Sequence, residues 1–194
     1  MRERITSYLE QLRDVIERFP IPEIERIVRI LLDARSAGAT VFVLGNGGSA
    51  ATASHFACDL GKGTISPGIP RLRVVALTDN VPLLTAWAND TDYVNVFSEQ
   101  LESLVRPGDV VIAISASGNS PNVLKAVEVA RKAGATTVGL AGFDGGKLKS
   151  AVDVCVVVPV DHMGQVEDGH MILDHLITDC IKEASKHGAG PQGR

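Results

Sequence analysis

Little in this chain could staple, anchor or stack. It has only three cysteines, Cys58, Cys155 and Cys180, in 194 residues; the odd count and the absence of a CxxC pair point to a reducing compartment, not a disulfide framework. Aromatics make up 4%, with Trp87 the single tryptophan, which reads as core or interface rather than a ligand stack. There is no long basic run, and 19 Lys and Arg against 23 Asp and Glu leave a net charge of -4, which counts against nucleic acid as a ligand. The amino-terminal stretch MRERITSYLEQLRDVIERF has no uninterrupted apolar segment, so it reads as neither signal peptide nor membrane anchor, and the cytoplasm is the expected location. GNGGSAA lacks the GxGxxG spacing and no GK[ST] follows it, so neither a dinucleotide fingerprint nor a nucleotide-triphosphate loop is present.

What is present is a globular composition, 45% hydrophobic and 22% charged. A chain of this length buries roughly two-thirds of its unfolded surface, enough for a full core without staples. The spacing predicts two helices, Glu3 to Phe19 and Pro22 to Ala37, parted by FPIP. Pro20 stops the first, and Pro22 suits the opening turn of the second. The pattern then switches to short apolar runs: TVFVLG at 40–45, LRVVAL at 72–77, Asp109 to Ser115, TTVGL at 136–140 and VDVCVVV at 152–158. These read as buried strands. Helices are expected over Ser49–Leu60, over 81–105 with a break near Ala88 to Thr91, over Pro121–Ala133 and over Gln165–Lys186, with loop from Gly61 to Pro70 and a frayed GAGPQGR tail.

Five apolar strands alternating with helices define an α/β fold, an open parallel sheet covered on both faces and preceded by a helical hairpin. Ligands of such sheets bind beyond the carboxyl ends of the strands. That rule selects the loop after the fourth strand together with GNGGS at 45–49, TDN at 78–80 and SASGNS at 115–120. The last offers Ser115, Ser117 and Ser120 beside Gly118 at the start of a helix, a set suited to a phosphate dianion. Ser120 as a helix cap is the plainer reading, but capping uses one hydroxyl and leaves the other two without a role. Asn46 and Ser49 face the same region from the first loop.

Four of the five histidines fall in two places. His55 and Asp59 are four apart on the helix after GNGGS and share a face. Asp161, His162, Glu167, Asp168, His170, Asp174 and His175 crowd the last helix and its approach. Glu167 and His175 differ by about 80° on a helical wheel, so the wheel alone does not join them. His170 and His162 read as buried or solvated side chains with ordinary partners, and His187 as a bystander. Cys58 reads as a small core residue, and Lys62 as an anion partner or a solvated lysine. A histidine and a carboxylate beside a phosphate cradle suit proton transfer next to a carbonyl, or the same groups suit zinc.

GNGGSAATASHFACDL at 45–60, TDNVPLLTAWANDTDYVNVFSEQL at 78–101, ISASGNSPNVLKAVEVARKAG at 114–134 and EDGHMILDHL at 167–176 together resemble the bacterial phosphoheptose isomerases, which are sugar isomerase (SIS) domain proteins. The resemblance spans almost the whole chain. It implies a flavodoxin-like three-layer α-β-α sandwich with a five-stranded parallel sheet over 39–187, a hairpin over 1–38 that packs on it and serves oligomerisation, and a flexible tail over 188–194. It also implies an aldose-ketose isomerase that converts sedoheptulose 7-phosphate to D-glycero-D-manno-heptose 7-phosphate through an enediol, for lipopolysaccharide or glycan heptose. On that likeness Ser115, Ser117 and Ser120 hold the phosphate, Asn46, Ser49, Asp90 and Glu167 meet the substrate, and Asp59 and His175 are acid and base. Zinc, or another divalent cation, falls to His55, Asp59, Glu167 and His175. The assembly implied is a homotetramer whose sites draw on more than one subunit, with no nucleic acid or membrane partner.

Three positions depart from the family pattern. Asp59 stands where glutamate is usual, Glu167 where glutamine is usual and Ala116 where threonine is usual. A carboxylate about one methylene short matters because a 1 Å misplacement can cost about 10²-fold in rate. The extra charge at Glu167 favours a divalent cation and disfavours an unneutralised phosphate. These changes leave open an isomerase of another sugar phosphate. They also leave open a non-catalytic relative that binds sugar phosphates or assembles a replication initiator.

Overall fold

The computed structural model describes residues 1–188; the expected frayed tail lies, from residue 189 on, outside the described residues. Helices α1 (Arg2–Ile16) and α2 (Ile21–Ala37) lead into β1 (Thr40–Gly45) and α3 (Gly48–Cys58), which continues as a π turn over Asp59–Gly63. There follow β2 (Arg73–Ala76), α4 (Val81–Asp90), a 3₁₀ turn at Tyr93–Asn95, α5 (Ser98–Leu104) and β3 (Val110–Ser115). The chain closes with α6 (Pro121–Lys132), β4 (Thr136–Gly142), α7 (Leu148–Ala151), β5 (Val154–Val158) and α8 (Met163–Gly188). All pairings are parallel, in the order β2-β1-β3-β4-β5.

Strand alternation divides the core between the two faces of the sheet. Val41, Val43, Ile112, Ile114, Val138 and Leu140 meet α2, α3 and α8 through Ile27, Leu31, Phe56, Leu173 and Ile177. Phe42, Leu44, Val111 and Ala113 meet α5, α6 and α7 through Phe97, Leu101, Val123, Val127 and Leu148. Each such side chain contributes roughly 1.5–3 kcal/mol by leaving water. Strand order reverses between β1 and β3, which stand side by side in register from Val41 with Val110 to Gly45 with Ile114. That reversal opens a crevice at their carboxyl ends, flanked by GNGGS and SASGNS.

Several boundaries differ from the sequence reading. The 72–77 run is a four-residue edge strand with Arg73 and Val75 exposed, not a buried one; an edge strand has a single neighbour to cover it. The helix over 49–60 loosens at Asp59 into the π turn, whose wider winding runs through Gly61 and Gly63. The break in 81–105 spans Thr91–Phe97, later than expected, because Asp92 caps a new turn by accepting from the Val94 amide. Short α7 lies inside the glycine-rich segment. Cys58 is exposed instead of core, since Phe56 and Leu60 take the inward face. Among the described residues no helix is long and apolar enough to cross a membrane.

Candidate active site

Ser115 ends β3 and Ser120 precedes α6, so the six-residue loop must turn sharply. Gly118 makes the turn at φ 63°, and a Cβ there would stand 2.0 Å from the Gly145 carbonyl oxygen. The loop after β4 therefore braces this one from beneath, and the Leu148 amide donates to the Gly118 carbonyl at 2.9 Å. Ser120 does not cap α6. Its hydroxyl lies 3.1 Å from that of Ser115, while Ser117 Oγ accepts from the Asn119 amide. Helix α3 also starts without a side-chain cap. Two helix amino-termini and four serines thus converge on a cleft of about 140 Å³ lined by Asn46, Ser49, Ser115, Ser117, Ser120 and Glu167. Uncapped amides and helix fields of this kind favour an anion.

One wall of the cleft is fixed by a pair of amides. Asn46 Nδ2 donates to Asn122 Oδ1 at 2.9 Å, and Asn122 Nδ2 donates back to Asn46 Oδ1 at 2.8 Å. The Tyr93 hydroxyl donates to the same Asn46 oxygen at 3.1 Å. Asn122 is buried, so its partner is mandatory. Sequence reasoning missed Asn122 and Tyr93; the only signal was the asparagine directly behind SASGNSP.

The second group joins two helices. His55 Nε2 and Asp59 Oδ2 are 3.5 Å apart, His175 Nε2 and Asp59 Oδ2 are 4.0 Å apart, and the two imidazole Nε2 atoms are 3.1 Å apart. The rings meet edge to face. Side-chain exposure of 45%, 29% and 56% for His55, Asp59 and His175 leaves the cluster open to a ligand. Donors about 2.0–2.1 Å from a tetrahedral zinc lie roughly 3.3 Å from one another, so the three atoms suit a divalent metal. Glu167, the fourth residue of the expected ligand set, is not among the three whose ligand atoms gather. Two turns earlier on α8 and rotated from His175, it lines the cleft beside the serine loop, where a Cβ on Gly48 would meet Glu167 Oε1 at 2.3 Å. Asp90 is exposed at the end of α4, its carboxylate accepting from Asn89.

Behind the trio, α8 buries a polar stripe at four-residue steps. His170 donates through Nε2 to the Ala141 carbonyl at 3.1 Å, and burial pushes its imidazole down to about 4. Asp174 is fully buried. Burial pushes its carboxyl up to about 7, the Asp59 charge adds to that, and Thr178 pulls the other way. Asp174 reads in sequence as one more acid on a polar face. His162 ties the start of α8, accepting the Gln165 amide at Nδ1 and meeting the Tyr8 ring edge on. Lys62 is exposed.

A parallel sheet of this order, an anion cradle at its switch point and an acid-base cluster on the flanking helices define a sugar-phosphate-handling α/β protein. The SIS domain family matches residues 7–142. The chain is 41% identical over 186 residues to the phosphoheptose isomerase of Geotalea daltonii, covering 94% of this chain and 96% of that one. The solved phosphoheptose isomerase of Neisseria gonorrhoeae superposes with a TM-score of 0.87 at 32% identity, over 94% of this chain and 98% of its own. That of Francisella tularensis gives 0.86 at 29%, over 93% and 97%. This chain belongs to the phosphoheptose isomerase family of SIS-domain proteins.

Proposed function

We propose that the protein interconverts sedoheptulose 7-phosphate and D-glycero-D-manno-heptose 7-phosphate. The observation that carries this reading is that α3 and the π turn continuing it bear both ends of a site, Ser49 in the anion cleft and His55 and Asp59 in the exposed trio. The phosphate is seated by Ser115, Ser117 and Ser120 and the starts of α3 and α6. Asn46, held by Asn122 and Tyr93, and Glu167 meet the sugar hydroxyls, and Asp90, exposed outside this cleft, is a further substrate contact. The open-chain sugar then lays its carbonyl end along α3.

At that end, Asp59 Oδ2 and His175 Nε2 divide the proton traffic. One takes the proton from the carbon beside the carbonyl, and the other moves protons between the two oxygens of the cis-enediol. Returning the proton to the neighbouring carbon completes the ketose-aldose exchange. Alternatively, His55, Asp59 and His175 would together hold a zinc ion, which would supply polarisation of the carbonyl in place of direct proton transfer by the atoms that bind it. The protein works in the cytoplasm as a homotetramer, with the 1–38 hairpin in its contacts and the SIS domain over 39–187.

The test is proton NMR in deuterated water with sedoheptulose 7-phosphate, on metal-analysed protein with and without added zinc. Aldose product with deuterium beside the carbonyl is expected. Neither product nor exchange under either condition removes this substrate.

A further inference from the structure

Helix α1 is weakly seated by apolar contact. Of its 15 residues only Val15 is buried, and Ile5, Leu9 and Ile16 are exposed at 56%, 60% and 39%. Its hold on the body runs instead through Tyr8. The phenol donates to Asp168 Oδ2 at 2.5 Å, the ring meets His162 edge on at 5.5 Å, and the Tyr8 carbonyl accepts from Gln165 Nε2 at 3.3 Å. Gln165 is fully buried and also donates to Gln11 Oε1 at 3.2 Å. A Cβ on Gly164 would stand 3.3 Å from the phenol oxygen, so glycine gives the hydroxyl its room.

His162, Gln165 and Asp168 step three residues at a time along the start of α8 and present one side to α1. Met163 and Glu167, from the same turns, line the phosphate cleft. The Glu167 carboxylate lies against Gly48 at the start of α3, and the neighbouring residue, Asp168, is the one Tyr8 grips. A rotation of these turns therefore moves both carboxylates together.

We propose that Tyr8 is a positioning residue: its three contacts lock the first two turns of α8 and thereby set Glu167 in the cleft. This rests on the sugar-phosphate reading above. A Tyr8 that merely fastened α1 would affect stability when altered and leave ligand affinity alone.

The experiment compares wild type, Tyr8→Phe, Glu167→Gln and the double variant as full-length protein. Calorimetry measures binding of sedoheptulose 7-phosphate and of inorganic phosphate, and steady-state turnover is followed alongside. Loss of one positioning hydrogen bond is expected to raise Kd and KM for the sugar phosphate about fivefold, with kcat within about twofold. In the Glu167→Gln background the same change should move affinity less than about twofold, the non-additivity of residues acting as one unit. Asp168→Asn, which keeps an acceptor for the phenol, should retain affinity better than Asp168→Ala. Unchanged affinity in Tyr8→Phe, whatever its melting temperature, overturns the proposal, as do effects that multiply in the double variant. A wild type that binds the sugar phosphate without turning it over defeats the isomerase reading alone, because calorimetry still judges the positioning role. A wild type that binds neither probe defeats both.

Discussion

The anion cleft and the His55–Asp59–His175 trio share helix α3, which meets the cleft at Ser49 and the trio at His55, and they are built on opposite plans. The cleft is over-determined: Ser115 and Ser120 hold each other, Gly118 is wedged against Gly145, and Asn46 is locked to buried Asn122. Nearly every group there is fixed by backbone or by a second side chain before a ligand arrives. In the trio, His55, Asp59 and His175 touch mainly one another across the α3–α8 gap and are substantially exposed. On the proposed reading, binding falls to the rigid sheet end and chemistry to side chains that a ligand or metal would organise.

If that division is real, the two regions fail differently. His175→Ala should lower turnover about 10²–10⁴-fold, the usual share of a general acid or base, while inorganic phosphate binds as before by calorimetry; normal turnover would sink the assignment. Ser117→Ala should do the reverse. Losing a hydrogen bond to a charged group costs about 1.5–3 kcal/mol, so affinity for the sugar phosphate should fall roughly ten- to a hundredfold with kcat at saturation little changed. Equal activity with a non-phosphorylated heptulose would refute the cradle.

The smallest effect concerns the buried stripe behind the trio. Asp174, with its folded pKa raised to about 7, contributes stability that is complete below the unfolded carboxyl value and is lost as pH rises toward 7. His170, lowered to about 4, contributes stability that is complete above the unfolded imidazole value and is lost as pH falls toward 4. Between about pH 4 and 6.5 the two slopes, each at most about 1.4 kcal/mol per pH unit, oppose each other. In chelator-treated protein, Asp174→Asn should therefore become more stable, relative to wild type, as pH rises through that window, and His170→Asn should become less stable relative to wild type. Denaturant melts at half-unit pH steps check this, and parallel wild-type and variant profiles would refute it.

The sheet and its two ligand loops were legible because strand runs such as TVFVLG and VVIAIS are continuous and their glycine and serine turns are compositionally loud. The edge position of β2 was not, since LRVVAL is as apolar as a central strand and order is a tertiary fact. Nor was the π turn at Asp59, which no propensity marks. In the site, the serine loop and the His55–Asp59 pair could be read from spacing. Spacing alone did not join His175 to them; the family resemblance did, and the crossing of α3 and α8 brings the three together. Asn122 and Asp174 were hidden for a shared reason: each is a polar residue on a helix, and only the packing says that it faces inward.

Ser49 and His55 sit six residues apart on one helix, a fixed rise of about 9 Å. Because α3 is packed against the sheet through Ala53 and Phe56, that interval cannot stretch, and on the proposed reading it would act as a length gauge between the phosphate seat and the reacting carbons, set for a seven-carbon chain. Ribulose 5-phosphate, two carbons shorter, should occupy the seat and compete for it without being isomerised, and efficient turnover of that sugar would show that the gauge is not what selects the substrate.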